Sequence, residues 1–202
     1  MTQITTVIFD LGRVLFEWDL RHLFAKLIAD KNELDWFLAN VVTPEWHFQH
    51  DAGRPLAEMI PERIAEFPDH AELIEAYATR FNETIPGPVP GSLEIVRELA
   101  ERGVPLFAIT NFGAELWEGF HPTQPVFDHF QDIIVSGTEK VVKPDRAIYE
   151  LAINRFGVDP KQCLFVDDVA ANVAGAEAAG INGHLFDGAD GLLAKLALLG
   201  LL

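Results

Sequence analysis

A chain of 202 residues that is 49% hydrophobic and 23% charged has the make-up of a globular protein with room for one large core, or for one core and a smaller appendage. Its 15 Lys and Arg against 31 Asp and Glu leave a net charge of −16 with no basic cluster along the chain, which argues against nucleic acid as a partner. The single cysteine, Cys163, precludes an intrachain disulfide; MTQITTVIFD lacks the regions of a signal peptide, and LLAKLALLGLL is too short and interrupted to span a bilayer. A cytoplasmic protein, monomeric or homodimeric and without a membrane partner, is the expectation.

In chain order, TTVIFD (5–10) is the first strand-like run. Residues 17–87 follow, rich in aromatics, and LRHLFAKLIADKNELDWFLAN places several of them at three- and four-residue spacing, the pattern of helices packed on one another. Within that segment TPEWHFQHDAGRP (43–55) reads instead as turn-forming, so that Trp46, His47 and His50 are expected near a site mouth, with Trp46 and His47 as candidate substrate contacts. GPVPG (87–91) reads as a linker. SLEIVRELAERG is helical and stops at Gly103, VPLFAIT (104–110) and DIIVSG (132–137) are strands, and KPDRAIYELAINRFG is a helix opening with Pro144 and closing at Gly157. QCLFVDD (162–168) is a strand, VAANVAGAEAAG a helix ending at Gly180, INGHLFD (181–187) a fifth strand, and the terminal leucine-rich run a last core-packing helix. The strands are continuously apolar and alternate with helices, which predicts an α/β fold: a Rossmann-like core with a parallel sheet of five or more strands, covered on both faces.

Ligands of such sheets bind beyond the carboxyl ends of the strands. There the chain carries Asp10, then Thr110 and Asn111, then Asp167 and Asp168, while Lys143 precedes the helix after the third strand. Taken singly, each is an ordinary cap or turn residue. Together they are a set suited to a metal ion and a phosphoryl group.

Asp10 in VIFDLGRVL, Thr110 in AITNF, Lys143 in VVKPD and Asp167–Asp168 in LFVDDVAAN resemble, in order, the four motifs of the haloacid dehalogenase superfamily. The resemblance covers nearly the whole chain outside residues 17–87. It implies a core of residues 1–16 and 88–202 with residues 17–87 inserted as a helical cap, and a Mg²⁺-dependent phosphatase acting through an aspartyl-phosphate. Asp10 would be the nucleophile. Asp10, the Gly12 carbonyl and Asp168, with Asp167 as a second ligand or supporting group, would offer the hard oxygens magnesium prefers. Asn172, one turn after Asp168, would fix a metal-bound water; Lys143 would screen charge, and Thr110 with the Asn111 N–H would donate to the phosphoryl oxygens.

Gly12 departs from the pattern, since most phosphatases resembling this chain carry a second Asp there as general acid and base. Three readings follow: a substrate with an easily leaving group, an anomeric sugar phosphate or mixed anhydride; a replacement acid from the cap, with Glu17, Asp19, His47 and His50 as candidates; or another activity. A 2-haloacid dehalogenase would use Asp10 against carbon without metal, and Arg13 beside the nucleophile would suit its carboxylate substrate, although the paired acids have no use there. A binding member without turnover is the remaining alternative. FDLGxV in motif one resembles the group that includes an α-glucose-1-phosphate phosphatase, which favours a small sugar phosphate. Arg13 is expected to face solvent or cap a helix, and Trp117 to border the pocket or pack beneath its loop.

Overall fold

The computed structural model describes residues 3–202. Its strands are β1 (Thr6–Phe9), β2 (Leu106–Thr110), β3 (Asp132–Val135), β4 (Cys163–Asp167) and β5 (Asn182–Leu185). They form one fully parallel sheet in the order β3-β2-β1-β4-β5. The helices are α1 (Leu20–Phe24), α2 (Lys31–Asn40), α3 (Pro44–Asp51), α4 (Leu56–Glu66), α5 (Ala71–Thr79), α6 (Ser92–Glu101), α7 (Ala114–Phe120), α8 (Ser136–Glu139), α9 (Arg146–Phe156), α10 (Ala170–Ala178) and α11 (Ala189–Leu198). No helix among the described residues is long and apolar enough to cross a membrane.

Alternation along the strands builds two apolar layers. Val7 and Phe9 of β1 join residues of α6 and α11 on one face, while Ile8 joins Ile148, Tyr149 and Ala176 of α9 and α10 on the other. The central strands β1, β2 and β4 are buried throughout, which explains their unbroken apolar runs. β5, at the sheet edge, is partly exposed instead. Phe9 lies beside Ala108 on one side and Val166 on the other, so the chain emerges at Asp10 level with the ends of β2 and β4. Parallel pairing in this register is what gathers the polar strand ends at one edge.

Helices α1 to α5 enclose a separate apolar cluster containing Leu23, Phe24, Phe37, Met59, Ile74 and Tyr77. The helical run over residues 20–40 forms two helices, because the Asp30 side chain accepts the Glu33 N–H and starts α2 afresh. TPEWHFQHDAGRP is not a turn region: Thr43 accepts the Trp46 N–H and Pro44 opens α3, so residues that read as breakers are start signals. The outgoing and returning connections run side by side, with the Glu17 N–H donating to the Gly87 carbonyl at 2.9 Å and the Val89 N–H to the Leu15 carbonyl at 2.9 Å.

Candidate active site

At the carboxyl edge of the sheet, the Lys143 ammonium lies 2.8 Å from Asp10 Oδ1 and 2.7 Å from Asp167 Oδ2, all three side chains being buried. The Lys143 backbone is held by the Asn111 side chain, which donates to its carbonyl at 3.0 Å and accepts its N–H at 2.8 Å. Asn111 thus fixes the lysine through its side-chain amide as well as standing beside Thr110 on the cavity wall. Asp167 also accepts the Val169 N–H at 2.8 Å and the Asn172 side-chain amide at 3.0 and 3.1 Å. Asn172, expected to fix a water, turns inward from the first turn of α10 and clamps Asp167; its own carbonyl accepts the Tyr149 hydroxyl at 2.7 Å.

Burial raises the Asp10 carboxyl above its ordinary range; Lys143 works against that rise and Asp167 adds to it. Burial alone would depress the Lys143 ammonium, but Asp10 and Asp167 outweigh it and hold Lys143 above its usual value. Asp168, half-buried, is also raised, first by burial and then by Asp167, with Arg13 opposing. Asp10, Asp167 and Asp168 each bring an oxygen within 4.8 Å of the others. Three carboxylates against the Lys143 ammonium and the Arg13 guanidinium still leave uncompensated negative charge in a confined space, and the donor set is all hard oxygen. These residues fit a small divalent cation such as magnesium. With Asp167 engaged by Lys143, Asn172 and Val169, the donors most free to reach such an ion are Asp10, Asp168 and the Gly12 carbonyl.

Glycine at position 12 is required neither by backbone conformation nor by packing: its φ is not positive, and a Cβ there would meet nothing within 4 Å. What glycine does is leave the floor of the cavity open. That cavity, of about 170 Å³, is floored by Asp10, Gly12, Lys143 and Asp168 and walled by Thr110, Phe16, Trp18, Phe81, Phe112 and Phe120. Two polar side chains reach it from the helical segment, His47 and Asp51, both on α3.

His47 lines the cavity. Its ring stacks between Trp18 and Phe81, its Nδ1 lies 2.6 Å from the Tyr77 hydroxyl, and burial, assisted by His50, pushes its pKa down to about 3. Trp46, by contrast, does not line the cavity: one position back along the helix, it is buried in the apolar cluster edge-on to Tyr77. His50 contacts the Arg54 carbonyl and does not line the cavity, Glu17 is exposed, and exposed Asp19 caps α1. Trp117 packs against Phe112 and Phe127 in the core. Arg13 is exposed, as expected, and caps no helix; in a left-handed conformation (φ 58°) it spreads 5.3 Å over the Trp18 ring at the cavity wall. Asp51 escaped the sequence reading altogether. Its only sequence signal is the i,i+4 spacing from His47, which places two polar groups on one face of a helix.

A family model for haloacid dehalogenase-like hydrolases matches residues 4–180. The chain belongs to the haloacid dehalogenase-like hydrolase family. It is 27% identical over 193 residues to the sesquiterpene phosphatase astK of Aspergillus oryzae, covering 92% of each chain. It is 28% identical over 134 residues to the validoxylamine A 7'-phosphate phosphatase of Streptomyces hygroscopicus subsp. limoneus, covering 64% of this chain and 63% of that one. Among solved structures, the HAD family enzyme bt-2542 of Bacteroides thetaiotaomicron, crystallised with magnesium and inorganic phosphate, superposes with a TM-score of 0.68 at 22% identity over 90% of this chain and 93% of that one.

Proposed function

We propose that this hydrolase is a magnesium-dependent phosphatase of small phosphomonoesters, with Asp10 as nucleophile. The observation that carries the reading is the buried constellation at the strand ends, where one lysine bridges Asp10 and Asp167 beside a third carboxylate. A carboxylate attacks a phosphoryl group only when the charge on that group is screened and the attacking oxygen is held in line. Lys143 holds Asp10 Oδ1 and leaves Oδ2 for attack; Thr110 and the Asn111 N–H stand on the wall where phosphoryl oxygens would lie. Magnesium, held by Asp10, Asp168 and the Gly12 carbonyl, would supply the charge that draws two anions together. Attack forms the Asp10–phosphorus bond as the ester P–O bond breaks, and water then cleaves the aspartyl-phosphate to return Asp10.

Residues 17–87 act as a cap over a core of residues 1–16 and 88–202 and exclude water from the cavity. Sugar phosphates are the class favoured by the sequence. The aromatic wall fits an apolar leaving group as well, and the likeness to a sesquiterpene phosphatase supports testing short prenyl phosphates beside sugars. The deciding experiment measures phosphate and halide release from sugar phosphates, prenyl phosphates, acyl phosphates and 2-haloacids, with Mg²⁺ and with EDTA. Phosphate release that needs Mg²⁺ and disappears in Asp10→Asn is expected. Metal-independent halide release without phosphate release would establish the dehalogenase reading instead.

A further inference from the structure

Resting on the phosphatase reading, the geometry points to Asp51, on the inserted helix α3, as the general acid and base that position 12 lacks. Asp51 is 5% exposed and lines the same cavity as Asp10 and Gly12. Its Oδ1 is buried without any hydrogen-bond partner. An orphaned carboxyl oxygen carries an uncompensated desolvation cost, which a substrate oxygen would offset by taking the missing bond. The same cavity is open at Gly12, from which no side chain grows. A leaving oxygen seated over that opening has Asp10 on one side and a carboxyl from the cap on another.

Asp51 is also tied to the core. Its backbone carbonyl accepts the Ser136 hydroxyl at 2.6 Å, and Ser136 in turn accepts the Phe112 N–H at 3.0 Å. Next to it, Gly113 has no room for a Cβ because the His50 ring lies against it, and a Cβ on Gly53 would strike Lys140. Residues 50–53 therefore sit wedged onto the loops after β2 and β3, and the Asp51 carboxyl is placed by the core although it belongs to the cap. Such rigidity is what proton transfer within a fixed hydrogen-bond distance needs.

The surroundings keep the carboxyl protonated at neutral pH. Burial raises it first, to about 8, with the Gly113 N–H and Lys143 pulling down and Asp10 pushing up. The titratable and charged groups facing it are His47 and His50 on its own helix, Tyr77 on α5, Glu115 on α7, and Asp10 and Lys143 across the cavity. His47 Nε2 lies 3.4 Å from Asp51 Oδ2, but a ring held neutral makes no ion pair and does not keep the carboxyl ionised. Asp51 carries its proton into the first step. As Asp10 bonds to phosphorus, the P–O bond breaks with its electron pair on the leaving oxygen, which takes the Asp51 proton. In the second step the Asp51 carboxylate takes a proton from the water that attacks phosphorus, and the bonding pair returns to Asp10, restoring both groups.

The test compares wild type with Asp51→Asn in Mg²⁺, using p-nitrophenyl phosphate and the best alkyl phosphate found for the wild type, by steady-state and rapid-quench kinetics. Asp51→Asn is expected to lose about 100- to 10,000-fold on the alkyl ester while keeping its first turnover of p-nitrophenyl phosphate, whose leaving group needs no proton. Phosphoenzyme should then accumulate towards one per chain, because the base of the second step is gone. The alkaline fall of kcat/KM near pH 8 on the alkyl ester should vanish. Equal losses in the first-turnover rate on both esters, or no loss on either, would overturn the assignment. Should the variant fail to fold, a wild-type series of esters decides: a shallow dependence on leaving-group pKa supports the acid, and a steep one overturns it. A wild type that hydrolyses no phosphate ester refutes the phosphatase reading instead, a result distinct from either.

Discussion

Lys143 is the side chain on which the site's electrostatics turn, and replacing it with methionine isolates that role because volume is nearly kept. At 2.8 and 2.7 Å from its two carboxylates, gross attraction is about 6 kcal/mol per pair at an effective dielectric near 20. Desolvation of three buried groups offsets most of it. What remains measurable is the cost of stranding the partners, about 3–5 kcal/mol when one member of a buried pair is removed. For a chain of this length each kcal/mol moves the melting temperature by about 2–4 °C, so Lys143→Met is expected to melt roughly 6–20 °C lower at pH 7.5. At pH 5 the deficit should shrink, since a carboxyl deprived of its ammonium takes up a proton rather than remaining ionised. Calorimetry at both pH values measures this. Hydrolysis should fall by at least about 100-fold, the scale of losing one charge-stabilising donor. A melting temperature within 2 °C (~1 kcal/mol) of wild type at pH 7.5, or an equal deficit at both pH values, would refute the reasoning.

Two further outcomes test other joints of the structure. Gly113→Ala drives a Cβ into the buried His50 ring, with an expected overpacking cost of about 1–3 kcal/mol; thermal unfolding together with turnover should show both stability and activity falling as Asp51 is displaced. His47 has a folded-state pKa of about 3 against an ordinary 6.5. Above pH 6.5 both states are neutral and His47 has no effect; below it only the unfolded chain takes the proton. Stability should therefore fall on acidification by up to about 1.4 kcal/mol per pH unit from this residue, and His47→Gln should flatten denaturant-derived stability between pH 6.5 and 5, parallel slopes being the refuting result.

Much of this protein is legible before any coordinates. Five apolar runs and the glycines and prolines between them suffice for a parallel α/β sheet, because a strand buried on both faces leaves an unbroken apolar trace, and the helix-ending glycines at 103, 157 and 180 need only local backbone chemistry. The polar strand ends were legible for the same reason: strand order places them on one edge whatever the side chains do. Local pattern failed where a helix was written in residues that double as breakers. Thr43 and Pro44 cap and open α3 rather than interrupt it, and with α3 established the facing of its residues follows: His47 and Asp51 to the cavity, Trp46 to the apolar cluster. Asn172 stands beside the cavity as its spacing suggests, and its hold on Asp167 is a contact that only the packing reveals. Asp51 depends wholly on tertiary structure. The sequence shows glycine at position 12, where the phosphatases it resembles carry a second carboxylate. Only the packing of α3 against the segments after β2 and β3 decided that the carboxyl of Asp51, thirty-nine residues later, is buried beside the same cavity, because burial and orientation belong to surfaces that meet in space and leave no periodic trace along the chain.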